Sequence, residues 1–193
     1  RGTPLPAHIL HLAALPSHRL LELRLVPQQP PGWRAYASHM WDGLLKNLRQ
    51  MHLCKAAGEE GLNWRIDVGA PPGQRPHTRV NRALALSLLL RGPTVSQADL
   101  RPFCDERLYS AMYPPALEAR GCATAFNGYD KAGLLISNSG SVVDPLEQVV
   151  VRVQEMLDAN AYVHHFVKHG VTKEWIREAV VKMEQILHDY ASL

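Results

Sequence analysis

The sequence predicts an α/β fold: a mixed β-sheet flanked by helices, closed by a C-terminal antiparallel helical hairpin. Three observations lead there. Strand-like and helix-like stretches alternate along the first two thirds. Ala83 to Leu90 is apolar on both faces, as a central strand is. The last fifty residues carry two apolar stripes at helical spacing joined by a short link.

The elements follow in order. Pro6 to Leu15 holds Ile9, Leu10, Leu12, Ala13 and Ala14 and reads as a short helix ended by Pro16. Leu21, Leu23 and Leu25 alternate with Glu22 and Arg24, which predicts a strand near a sheet edge with the two charged residues on its wet face. Pro27 to Gly32 contains three prolines and is a loop. Ser38 is placed to cap a helix that carries Trp41, Leu44, Leu45, Leu48 and Met51 on one face.

Cys54 to Val80 is rich in Gly and Pro, with Leu62, Trp64, Ile66 and Val68 alternating as a short strand would. After the central strand, Ser96 to Asp99 begins a helix that Pro102 interrupts. Leu117 to Phe126 and Lys131 to Ser137 supply the last two strands, joined around the turn signal Asn127-Gly128. Asp144 and Pro145 open a helix with Leu146, Val149, Val150, Val153, Met156 and Leu157 on one face. The last helix starts near Thr172 and aligns Ile176, Ala179, Val180, Met183, Ile186, Leu187 and Tyr190. Trp41 and Trp175 fall on apolar faces and are expected in the core.

Composition narrows the function. The chain has 193 residues, 46% hydrophobic and 20% charged, enough for a sizeable core. Net charge is +3 with Lys and Arg dispersed, which argues against nucleic acid as a partner. No apolar run is long enough to span a bilayer. Cys54, Cys104 and Cys122 form no metal-ligand pair and no disulfide framework, so they are expected as buried thiols in a reducing setting.

The motifs that carry chemistry are weak. His165 and His169 stand one helical turn apart beside His164, so a small His-based metal enzyme is one reading. It lacks a His-Glu-x-x-His run and any nearby Cys pair; packing is the blander account. Ser137-Asn138-Ser139-Gly140-Ser141 is no nucleophile elbow, and reads as a strand-to-helix turn with local side-chain bonds. Neither Gly-x-x-x-x-Gly-Lys-Ser/Thr nor Gly-x-Gly-x-x-Gly occurs. Arg91-Gly92 is a basic strand end. A generic α/β interaction module is the third reading.

Ile136-Ser137-Asn138-Ser139, the helix after it, and Ala161-Tyr162-Val163-His164-His165-Phe166 resemble the end of a tubulin. Arg79-Val80-Asn81-Arg82-Ala83 through Leu90-Arg91-Gly92 resembles the tubulin strand that ends in Phe-Arg-Gly. Gly43 to Met51, Ser137 to Ser139 and the ending Tyr190-Ala191-Ser192-Leu193 are most similar to the delta class of that family. The resemblance covers nearly the whole chain but only the second half of a tubulin.

It implies an intermediate domain at 1–139, preceding helix included, and a C-terminal helical hairpin at 140–193. Arg1-Gly2-Thr3-Pro4 is expected to be a cut, so the chain is expected to be a fragment. Neither a cofactor nor a metal is expected in it, whereas GTP with Mg is expected in the full-length parent. His164 falls on a tubulin His and His165 on a tubulin Trp, both packing positions. Gln28 to Ala37 corresponds to the loop that touches the neighbouring protofilament, with Gln28, Gln29, Trp33, Arg34 and Tyr36 as contact residues. Trp33 is as well suited to a lid as to a partner anchor. Partners implied are other tubulins, alpha, beta or alike, through longitudinal and lateral contacts. The implied role is structural, in the cytoplasmic cytoskeleton at centrioles and basal bodies with triplet microtubules. In the alpha class of the family an acidic residue of the first helix reaches the neighbour's nucleotide; the resemblance puts Ile9 at that position, and no Asp or Glu occurs between Arg1 and Leu21. The family's long acidic tail has no counterpart after Tyr190 in this sequence.

Overall fold

A computed structural model describes residues 10–30, 39–69, 80–111 and 113–193. Four strands form one sheet: β1 (Glu22–Val26), β2 (Ala83–Arg91), β3 (Leu117–Cys122) and β4 (Ala132–Ser139). Their spatial order is β1-β4-β2-β3. The pair β2–β3 is parallel, whereas β1–β4 and β2–β4 are antiparallel, so the sheet is mixed. The doubly apolar strand β2 sits inside the sheet, buried along nearly its whole length.

Helix α1 (Trp41–Leu53) covers one face of this sheet with Trp41, Leu44, Leu45, Leu48 and Met51. It comes close: a Cβ at Gly133 would lie 2.9 Å from Leu48 Cδ1. Only a glycine on β4 lets α1 settle there. Leu86, Leu88, Leu90 and Leu135 complete that core from the sheet side.

Between β2 and β3 the expected interrupted helix is three short 3₁₀ turns, Val95–Gln97, Arg101–Phe103 and Glu106–Leu108. Pro102 removes a donor inside the second turn. Phe103, Leu108 and Tyr109 still enter the core. The turn at Asn127-Gly128 forms, with φ of 50° and 77° at its two central residues. It does not join a hairpin: β3 pairs with β2, so the chain crosses over β2 to reach β4.

Helix α2 (Val143–Asp158), the short α3 (Val163–Val167) and α4 (Lys173–Ala191) end the chain. Gln154 bonds Glu184 and Lys173 bonds Asn160, so α2 and α4 run antiparallel. Thr172 caps α4 by accepting from the Trp175 N–H at 3.2 Å. Asp144 is not the cap of α2. That position is Val142, and Asp144 lies in the first turn, paired with Lys55 at 3.0 Å.

Several expectations are corrected. Leu62 to Val68 forms turns rather than a strand: Gln50 Nε2 donates to the carbonyls of Ile66 (2.9 Å) and Asn63 and holds the segment as a loop. Trp64 is 51% exposed, with Lys46 Nζ 4.9 Å from its ring centre. Trp175 is 62% exposed, so only Trp41 of the two helical tryptophans is core. Cys104 and Cys122 are exposed and Cys54 is half-buried, against the expectation of buried thiols. Helical spacing and thiol chemistry report local preference; which face is covered depends on what packs there.

Candidate interaction loop and the polar network behind it

The loop after β1 is fastened at its start. Gln28 N–H donates to Glu59 Oε2 at 2.8 Å, and Glu59 N–H donates to Gln28 Oε1 at 2.9 Å. Gln28 Nε2 also reaches the Ala57 carbonyl at 3.3 Å. Asn47 Nδ2 donates to the other Glu59 oxygen at 2.8 Å, so α1 orients Glu59 and Glu59 orients the loop. Gln28 and Gln29 are exposed at the surface. Trp33, Arg34 and Tyr36 lie outside the described residues, as do Ile9 and Ser38. Glu59 and Asn47 belong to this site, yet nothing in their local sequence marks them. The reciprocal pairing needs Gly58 and Gln28 side by side, a contact between segments thirty residues apart.

Behind β1 lies a buried network. The strand is inverted relative to its sequence reading: Arg24 is 2% exposed, whereas Leu23 is 66% exposed. Arg24 Nε donates to the Ala56 carbonyl (3.0 Å), its Nη1 to Ser137 Oγ (3.0 Å), and its Nη2 to Glu22 Oε2 (3.0 Å) and Ser141 Oγ (3.3 Å). Ser141 in turn bonds Glu22 and Ser139. Asn81 Nδ2 donates to Ser139 Oγ and to the His52 carbonyl. A buried guanidinium is tolerable only with its charge paired and its nitrogens hydrogen-bonded, and here Glu22 pairs the charge and each of the three nitrogens has a partner. Burial first, then the charges of Arg24 and Arg49, push the His52 imidazole down to about 3, so it stays neutral in this network.

The remaining candidates resolve to structure. Ser137, Ser139 and Ser141 are buried fasteners. Arg91 Nε donates to the Thr124 carbonyl at 3.2 Å and its guanidinium stands over Phe126. Gly92, at φ 140°, abuts the Asp130 carbonyl, where a Cβ would come within 2.2 Å. Hydrogen bonds from Thr124, and then the Arg91 charge, hold the Cys122 thiol below its ordinary pKa. His164 and His165 are exposed, against the expectation of packing positions, with ring centres 4.1 Å apart on a short helix that has no buried residue, and His169 is exposed too. Among the described residues no three His, Cys, Asp or Glu side chains stand where they would share a metal ion. No helix among those residues is long and apolar enough to cross a membrane.

A groove of about 390 Å³ between α2 and α4 is lined by Gln154, Leu157, Asp158, Arg177, Val180, Val181 and Glu184. Two carboxylates against one guanidinium do not suit a nucleotide triphosphate, and the sequence offers no glycine-rich cradle. Among the described residues this groove therefore does not suit GTP.

Comparison with known proteins decides the family. No family model matches the chain. The tubulin delta chain of Mus musculus is 34% identical over 203 residues, covering 100% of this chain and 44% of that protein. The tubulin delta chain of Homo sapiens is 32% identical over 202 residues, covering 100% and 45%. The Canis lupus familiaris protein of the same name is 31% identical with the same coverage. The chain belongs to the tubulin family. This tubulin-family chain spans less than half the length of the curated relatives it matches, consistent with a C-terminal half of a delta tubulin. The mixed sheet with flanking helices is the α/β architecture that the resemblance implies.

Proposed function

We propose that this chain is the polymer-contacting half of a delta-tubulin-like cytoskeletal protein, acting structurally in the triplet microtubules of centrioles and basal bodies. Similarity over the whole of this chain to part of the delta chains supports this reading. The parent binds GTP with Mg through residues outside this chain, whereas the chain itself binds neither and is not an enzyme. Contacts run to other tubulins, longitudinally and laterally, with Gln28, Gln29, Trp33, Arg34 and Tyr36 facing the lateral neighbour.

The chemistry of the loop supports that assignment. Pro27, Pro30 and Pro31 restrict the free loop, so ordering it on contact costs less entropy. The Glu59–Gln28 pairing fixes where the loop leaves the body. Trp33 offers a large apolar face with few rotamers to freeze, and Arg34 suits an acidic partner surface. Ile9 aligns with the position at which the alpha class carries an acid, and an aliphatic side chain neither orients water nor accepts a proton. On this reading the subunit binds a neighbour without completing that neighbour's hydrolysis.

The test uses the full-length protein carrying this chain, tagged and expressed in ciliated cells, beside its Trp33→Ala variant. Wild type should concentrate at basal bodies and sediment with tubulin, and the variant should do both more weakly. A wild-type protein spread evenly through the cell, with no tubulin association, would overturn the reading.

A further inference from the structure

We infer that helix α4 is a releasable arm whose one fully buried anchor is a polar latch at Tyr190, its other polar ties, Gln154–Glu184 and Lys173–Asn160, lying at the exposed surface. Along Lys173–Ala191, Tyr190 is the one residue that is fully buried, at 1% exposure. The apolar stripe expected to dock this helix does not sink: Ile176, Val180, Met183, Ile186 and Leu187 are half-buried, and Ala179 is exposed. Trp175 and Val181 point outward at 62% and 63% exposure.

The latch is dense by contrast. The Tyr190 hydroxyl accepts from the Leu20 N–H at 2.8 Å and donates to Asn138 Oδ1 at 2.8 Å, with the Leu20 carbonyl a second acceptor at 3.2 Å. Asn138 Nδ2 spends its two protons on the carbonyls of Leu12 and His18, each at 2.8 Å. The His18 ring packs edge-on against Tyr190 with centres 4.7 Å apart, and its Nε2 lies 3.2 Å from the Asp189 carbonyl. Three distant pieces of chain meet in this knot: the lead into β1, the end of β4 and the last turn of α4. Burial keeps the Tyr190 phenol above its ordinary pKa, so it remains a donor.

Two features make this a device rather than ordinary packing. Shallow apolar contact along a helix gives little resistance to opening, so one buried anchor sets the free energy of release. Asn138 also answers to both ends of the knot: loss of the tyrosine hydroxyl leaves its carbonyl oxygen buried and unpaired while its amide still holds Leu12 and His18. The position of the lead into β1 and the docking of α4 are thereby coupled through one side chain. This inference does not depend on the polymer role proposed above, and its test uses no partner.

Hydrogen exchange followed by mass spectrometry, on the protein and on Tyr190→Phe, tests it. Phe keeps the ring and removes the three hydroxyl contacts. Exchange over 173–191 should rise tenfold or more while β2 and β4 amides keep their wild-type rates. Leu187→Asp, which cuts apolar contact and spares the latch, should raise exchange there less than Tyr190→Phe does. Wild-type exchange in Tyr190→Phe, an equal rise across sheet and helix, or a larger effect from Leu187→Asp would each overturn the latch.

Discussion

Arg24 and Glu22 stand two residues apart on β1 with Nη2 and Oε2 3.0 Å from each other, both turned toward the sheet face that α1 covers. In the same strand Leu23, 66% exposed, and Leu25, 38% exposed, face outward. The pairing register puts Arg24 opposite Leu135 and Glu22 opposite Ser137, and Ser137 supplies a hydroxyl where a leucine would supply none. A strand whose polar face is inside is stable here because its interior partners are polar too.

Arg24→Ala should therefore cost about 3–5 kcal/mol, the range for removing one member of a buried ion pair. It takes the donor from Ser137 Oγ and the Ala56 carbonyl and removes the charge opposite Glu22, to which only Ser141 still donates among the described residues. Leu23→Ser on the same strand should stay within about 0.5 kcal/mol, as exposed substitutions do. Urea denaturation of the two variants checks the order, and the reverse order would restore the reading of β1 from its alternation.

His52 predicts a pH effect. Its folded pKa of about 3 lies below the ordinary 6.5, so between those values the unfolded chain binds a proton that the folded chain does not. Stability then falls as pH drops from about 6.5 towards 3, by on the order of a few kcal/mol in all. His52→Gln should flatten that slope. Melting temperature against pH for both proteins is the measurement, and equal slopes would remove His52 as the cause.

Glu59→Ala should loosen the loop that follows β1. It deletes the acceptor for the Gln28 N–H and for Asn47 Nδ2. These bonds are partly exposed, so the loss of stability should be only about 1 kcal/mol. Limited proteolysis should cut faster between Pro27 and Met40, and the full-length protein should associate with tubulin more weakly. Unchanged cleavage would show that Glu59 does not orient the loop.

Trp175→Ala should leave the melting temperature almost unmoved, because the ring is already 62% exposed. Trp41→Ala should cost about 3–5 kcal/mol, the range for a buried aromatic. The Trp41 ring is buried, and its Nε1 donates to the Pro93 carbonyl at 3.2 Å. Thermal unfolding of the pair separates them, and equal losses would place Trp175 in the core after all.

Calorimetric titration of GTP into the chain should show no heat of binding, since no glycine-rich cradle is present. Micromolar affinity would contradict the reading that the nucleotide site lies outside these residues.

The sequence by itself determined the class of fold and most of its parts. Strong local periodicity and unbroken apolar runs are enough for that, which is why β2, β4, α1, α2 and α4 lie where the pattern puts them. Family membership was also legible, because short runs such as Ile136 to Ser139 and Ala161 to Phe166 keep their spacing. Tertiary structure alone decided which faces are covered. A period-two pattern says that β1 has two unlike faces but not which one meets α1, and the polar partners that reverse it, Ser137, Ser141 and the Ala56 carbonyl, come from other parts of the chain. The same holds for the strand order, since the Asn127-Gly128 turn is local while the crossing over β2 is not. Glu59 on Gln28 and Tyr190 on Asn138 are meetings of residues thirty or more apart, made by hydrogen-bond geometry that no local pattern encodes.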